Sequence, residues 1–97
     1  MPYFVTLAKY TDQGIRNVKD SAKRADAFEA AIRAAGGTLK DLYLVLGEHD
    51  IVAVIELPSD EAAAKLSLAT ASLGNVRTTT LRAFNREEFR KIIASLP

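Results

Sequence analysis

Ninety-seven residues, 48% of them hydrophobic and 26% charged, predict one globular domain spanning residues 1–97. The absence of cysteine excludes disulfides, thiolate chemistry and cysteine-built zinc or iron–sulfur sites, and one histidine cannot make a multi-histidine metal site, so neither metal nor cofactor is expected. Thirteen basic against twelve acidic side chains leave a net charge of +1, a poor footprint for nucleic acid, and no apolar run reaches the roughly 18 residues of a membrane helix.

Tyr3 to Tyr10 is rich in β-branched and aromatic residues and reads as a strand. Tyr3, Val5 and Leu7 fall on one side of it, Phe4, Ala8 and Tyr10 on the other. A strand apolar on both sides is usually covered on both sides. Thr11-Asp12-Gln13-Gly14 reads as a polar break, and Ile15 to Val18 as one short helical turn. A helix then starts at Asp20 or Ser21 and runs to about Ala35, with Ala25, Phe28, Ile32 and Ala35 as its buried stripe. Lys23, Arg24, Asp26, Glu29 and Arg33 are assigned to its wet side, and Gly36-Gly37 stops it.

Thr38 to Leu46 is the second strand and Ile51 to Leu57 the third. The polar link Gly47-Glu48-His49-Asp50 joins them as a hairpin. Ser59 caps a helix running to about Leu73, with Leu66, Ala69 and Leu73 able to face the sheet. Its Ala- and Ser-rich surface carries little charge and predicts a second packing partner. Asn75 to Phe84 is the fourth strand. Asn85 and Glu88 form a capping-box pattern, and the last helix is expected to bury Phe89, Ile92, Ile93 and Leu96.

The order β-α-β-β-α-β-α predicts an α+β, ferredoxin-like βαββαβ sandwich: a four-stranded antiparallel sheet with two helices on one face and an extra C-terminal helix. Strands one to three are apolar on both faces, and the last helix is too short to cover the second. A second copy, sheet against sheet, is the economical cover, so a homodimer or larger homo-oligomer is expected. The spatial order 4-1-3-2 collects Lys9, Tyr10, Thr11, Asp12, Glu48, His49, Asp50, Asn75 and Arg77 at one edge.

These segments resemble the GYD-domain family of the dimeric α/β-barrel class. The likeness is carried by Pro2 to Tyr10, Thr11-Asp12-Gln13-Gly14-Ile15-Arg16, Asp20-Ser21, Lys23-Arg24-Ala25, Asp50-Ile51-Val52 and, most specifically, Leu73 to Phe84. The resemblance implies the fold, association as a dimeric α/β barrel and a soluble bacterial setting. It implies no activity. The family signature is Gly, Tyr, Asp in the hairpin; here Gly47 and Asp50 match and His49 stands where tyrosine is expected.

Three functions fit these residues. The first is a homo-oligomeric domain that binds a small molecule without catalysis, with Lys9, Tyr10, Asp12, Glu48 and Arg77 as candidate ligand-binding residues. The second is a cofactor-free enzyme of oxygenase or isomerase type, with His49 and Asp50 as candidate catalytic residues, because imidazole exchanges protons near neutral pH. The third is an effector-binding domain serving a separate DNA-binding protein. Each site residue also has a structural reading: His49 as a turn residue, Asp50 as an acceptor for backbone amides, and Lys9 and Arg77 as partners of nearby acids. The N-terminus lacks the pattern of a signal peptide, so a cytoplasmic location is the default expectation.

Overall fold

The computed structural model describes all 97 residues. Strands β1 (Tyr3–Tyr10), β2 (Thr38–Leu44), β3 (Ile51–Glu56) and β4 (Val76–Ala83) form one antiparallel sheet in the order β2-β3-β1-β4. Helix α1 (Asp12–Arg16), a 3-10 turn over Val18–Asp20, α2 (Ser21–Ala34), α3 (Asp60–Ser72) and α4 (Arg86–Ala94) complete the chain. This is the predicted ferredoxin-like α+β sandwich, with the predicted strand order.

Strand alternation decides where the core sits. In β1, Phe4, Thr6 and Ala8 are buried beneath α2 and α3. Opposite them in register, Ile55 and Ala53 of β3 point the same way. Leu57, Ile32 of α2, and Ala63 and Leu66 of α3 close the cluster. Full burial of an Ile or Leu side chain contributes about 1.5–3 kcal/mol. Ile32, Ile55 and Leu57 are the largest side chains fully enclosed, so the fold rests heavily on them. Ile32→Ala should cost about 2–5 kcal/mol, because it removes buried methyl groups and leaves a cavity. Urea unfolding would show this as a lower midpoint at unchanged slope, and a loss under about 0.5 kcal/mol would contradict the core assignment.

Three expectations need correction. Thr11 to Gly14 is not a break: the Thr11 hydroxyl accepts the Gly14 amide at 3.1 Å and caps α1, so the helix starts at Asp12. Strand β2 stops at Leu44, two residues early. The Asp50 carbonyl accepts the Val45 amide at 2.8 Å, and the Asp50 amide donates to the Ala8 carbonyl at 2.8 Å. These bonds close the link below its tip, so Leu46 lies outside the strand predicted to include it and is left 98% exposed.

The third correction concerns α4. Its capping box forms as predicted, with Asn85 and Glu88 exchanging bonds of 2.9 and 2.8 Å. Yet Phe89, Ile92, Ile93 and Leu96 are between 43% and 60% exposed. Asn85 keeps an extended backbone, and α4 stands off the body instead of folding back over it. The molecule therefore measures 51 × 30 × 18 Å, with a radius of gyration of 14.5 Å, against about 13 Å for a compact domain of this size.

The far face of the sheet is bare. By register it carries Val5 and Leu7 of β1, Val52 and Val54 of β3, Tyr43 of β2 and Leu81 of β4. No helix of the chain lies over them; Tyr43 and Leu81 are exposed and the valines only half-buried. At its rim Lys40 pairs with Glu56 at 3.2 Å. The hydrogen bond and negative charge of Glu56 raise the Lys40 pKa above its ordinary 10.5. A raised folded-state value stabilises the fold below the unfolded pKa, and that contribution fades as pH climbs through the raised one. Lys40 is exposed to solvent although Glu56 is half-buried, and water around the ammonium keeps the pair's weight small.

Candidate functional site

At the end of the sheet where β1 stops, the β2–β3 link folds against the strand. The Asp50 carboxylate accepts the Tyr10 amide at 2.9 Å, while the Asp50 main chain bonds Ala8 and Val45. Lys9 reaches Glu48 at 3.4 Å across an exposed gap. Lys9 and Arg77 are register partners on the bare face of β1 and β4. Like charges directly opposite one another repel, and the Glu48 carboxylate offsets one of them. His49 is half-buried next to Asp50. Asp12 sits exposed in the first turn of α1.

Lys9, Glu48, His49, Asp50 and Arg77 therefore share one edge, as topology predicts. Tyr10 departs from them. Its side chain lies on the helix-covered face, where its hydroxyl meets Ser21 Oγ at 2.8 Å. No group of three or more His, Asp or Glu side chains has the arrangement of a metal site. Asp50→Ala should cost about 1–3 kcal/mol, since the Tyr10 amide loses its acceptor. His49→Ala should stay within about 0.5 kcal/mol of the parent. Parallel urea titrations of the two variants would check the contrast, and equal losses would overturn the division of roles.

A concave feature lies on the helix side. Between α2 and α3, above the sheet, is a half-open cleft of about 230 Å³. Its floor and inner wall are apolar, with Phe28, Leu42, Ala53 and Leu66 buried or half-buried there. The space exists because both helices present small residues there, Ala25 and Ala31 from α2 and Ala69 from α3. Its other end is polar, with Tyr10, Ser21, Arg24, Asn75 and Thr78. Neither His49, Asp50 nor any other acid belongs to the lining.

The polar end is braced by α1. Thr11 donates through its hydroxyl to the Gly74 carbonyl at 2.6 Å and through its amide to the Asn75 carbonyl at 3.1 Å. Gln13 Nε2 donates at 3.1 Å to both the Leu73 carbonyl and Asn75 Oδ1. Gly74 takes the positive φ of +83° that this turn requires. Arg24 then spans α2 and α1: it donates to the carbonyls of Asn17 and Gly14 at 3.0 and 3.4 Å, and to Ser21 Oγ at 3.1 Å. Two segments that carry the family resemblance, Thr11 to Gly14 and Leu73 to Asn75, are thus the two halves of one brace.

The family model of the GYD domain matches residues 4–93. The chain belongs to the GYD-domain family. The glutamine synthetase and cystathionine beta-lyase binding protein of Thermus thermophilus is 34% identical over 84 residues, covering 86% of this chain and 88% of that protein. A crystal structure of a Thermus thermophilus protein matches with a TM-score of 0.56 at 26% identity, over 88% of this chain and 95% of that one. The Mycobacterium tuberculosis leucine response regulatory protein also matches with a TM-score of 0.56, at 19% identity, over 87% of this chain and 51% of that one, a likeness of fold alone.

In this GYD domain, sequence reasoning missed the cleft. Ser21 reads as a helix cap and Arg24 as part of a wet face. Ser21 makes no capping bond; it serves Tyr10 and Arg24 instead. The available signal was the pairing of alanines on two helices expected to face one sheet, which leaves room where larger residues would fill it. No helix of the chain is long and apolar enough to cross a membrane.

Proposed function

We propose that this GYD domain is a homo-oligomeric binding protein without chemistry of its own, joined to its copies through the bare sheet face and α4. The observation that carries this reading is the apolar sheet face that nothing in the chain covers. Area supports it. A compact 10.5 kDa monomer exposes about 5400 Å², whereas this chain exposes 6634 Å². The excess is about 1200 Å², the scale a protomer loses in an obligate dimer. The apolar side of α4, which no helix of its own chain meets, fits the same end.

Docking on other proteins belongs to the same reading. The name of the Thermus relative says that it binds two enzymes. For this chain the extension is a protein partner of that kind, held by surfaces outside the self-association face. A small-molecule ligand in the cleft completes the reading. Arginine and hydroxyl donors without an acid nearby can hold a ligand, but they supply no general base.

Size-exclusion chromatography with light scattering tests the assembly directly. A mass of twice 10.5 kDa or a higher multiple is expected across micromolar concentrations. A monomer at every concentration would overturn the reading, since the bare face would then lie in water.

A further inference from the structure

We propose that the cleft between α2 and α3 binds a small monoanionic carboxylate with an aryl or branched alkyl body. Its carboxylate would be held by Arg24 and the spare hydroxyl hydrogen of the Tyr10–Ser21 pair. This rests on the small-ligand half of the proposed function and not on self-association.

Size sets the body. An apolar cavity of about 150 Å³ takes benzene, so 230 Å³ accommodates a ring or branched chain with one polar group. It is too small for a long acyl chain. The apolar walls come from Phe28, Leu42 and Leu66, and they offer such a body no side-chain hydrogen bond.

Charge sets the head. Arg24 is the one charged residue of the lining, and none of the chain's ion pairs includes it. Its partners are two carbonyls and a hydroxyl, which fix the guanidinium without neutralising it. A guanidinium has about five donors. Three of the donors are spent here, which leaves Nε and one Nη1 hydrogen.

The hydroxyl pair adds a donor by necessity. Ser21 Oγ already accepts from Arg24 and shares a bond of 2.8 Å with the Tyr10 hydroxyl. If tyrosine donates to serine, the serine hydrogen is free. If serine donates, the tyrosine hydrogen is free. Either way one O–H remains beside a fixed cation. Thr78 and the Asn75 amide stand at the same end. A head group that only accepts, and carries one negative charge, matches this set; a dianion would leave one charge uncompensated. Bonds from a guanidinium to a carboxylate are among the stronger ones available.

The test is a titration of the protein with benzoate, and with benzamide as a neutral match, followed by amide chemical shifts of residues around the cleft. Benzoate should saturate with shifts at Ser21, Arg24, Ala69 and Thr78, and benzamide should bind at least about tenfold more weakly. Arg24→Met should bring benzoate down to the benzamide level. Because Arg24 also ties α2 to α1, Ala69→Phe serves as a second variant. It fills the cleft from an exposed helix position and should abolish both titrations while the spectrum stays folded. Equal affinity for benzoate and benzamide, undiminished binding in Ala69→Phe, or no saturation at millimolar benzoate would each overturn the proposal. Light scattering on the same samples separates the two readings. An oligomer that ignores benzoate loses the inference and keeps the assembly, and a monomer that binds it does the reverse.

Discussion

Val54→Asp should convert the assembled protein into monomers. Val54 lies in the middle of the bare sheet face, between Asp41 of β2 and Val5 of β1 in register. In a face-to-face pair its side chain is buried in both copies, so the substitution places two carboxylates in one apolar interface. Each loses hydration worth several kcal/mol and finds a like charge nearby. A penalty of about 4 kcal/mol raises the dissociation constant roughly a thousandfold. In the separate chain the same carboxylate faces water; it loses strand propensity, about 1 kcal/mol or less, and is repelled by Asp41 directly opposite, which adds about 0.2–1 kcal/mol. The fold should therefore survive while the assembly does not. Light scattering over a concentration series, beside a circular dichroism melt, reads both effects. A variant that keeps the parent mass would place the interface elsewhere. Lys65→Gln, on the exposed side of α3, lowers the net charge by the same single unit and should leave the mass unchanged.

The parts of this fold legible in the sequence are those set by local chemistry. Alternation in β1 and β3, the Ser59 cap and the Asn85–Glu88 box all appear where the pattern puts them. Sheet order follows from the chain rules for two split βαβ units. What escaped is what depends on distant partners. Leu44 and Leu46 have the spacing of a buried row, but Asp50 closes the link beneath them and leaves them in water. The apolar row of α4 has the spacing of a core helix, yet amphipathicity says only that a face needs a partner, not that the partner is in the same chain. The edge residues were brought together by topology alone. The cleft was hidden for a different reason: an alanine facing another element reads as close packing, and only the separation of α2 and α3 shows that it lines a gap. Arg24 was placed in solvent because charge argues for exposure; its bonds to main-chain carbonyls could not be read from composition.

Gly14→Ala should destabilise the domain, although helix propensity argues the opposite. In an isolated helix the change from glycine to alanine is worth about 1 kcal/mol in favour of alanine. Gly14 is buried in α1, with its α-carbon against the start of β4. A β-carbon there would overlap the Asn75 carbonyl oxygen and lie 2.8 Å from its carbon. Both are main-chain atoms, so no rotamer relieves the clash. Either α1 lifts or the Gly74–Asn75 turn shifts, and the Thr11 and Gln13 bonds to residues 73–75 are lost with it. Overpacking costs about 1–3 kcal/mol and each lost bond adds about 0.5–1.5 kcal/mol, so the clash outweighs propensity. A net loss of at least about 2 kcal/mol is expected by urea unfolding, with faster amide exchange across residues 11–16 and 73–76. Ile15→Ala, next door but 52% exposed, should change little. The Gly14 carbonyl also accepts from Arg24, so the variant should weaken any anion held at the polar end of the cleft. If Gly14→Ala were as stable as the parent, α1 would not be seated on β4, and the brace that positions Arg24 would have to be rebuilt from other contacts.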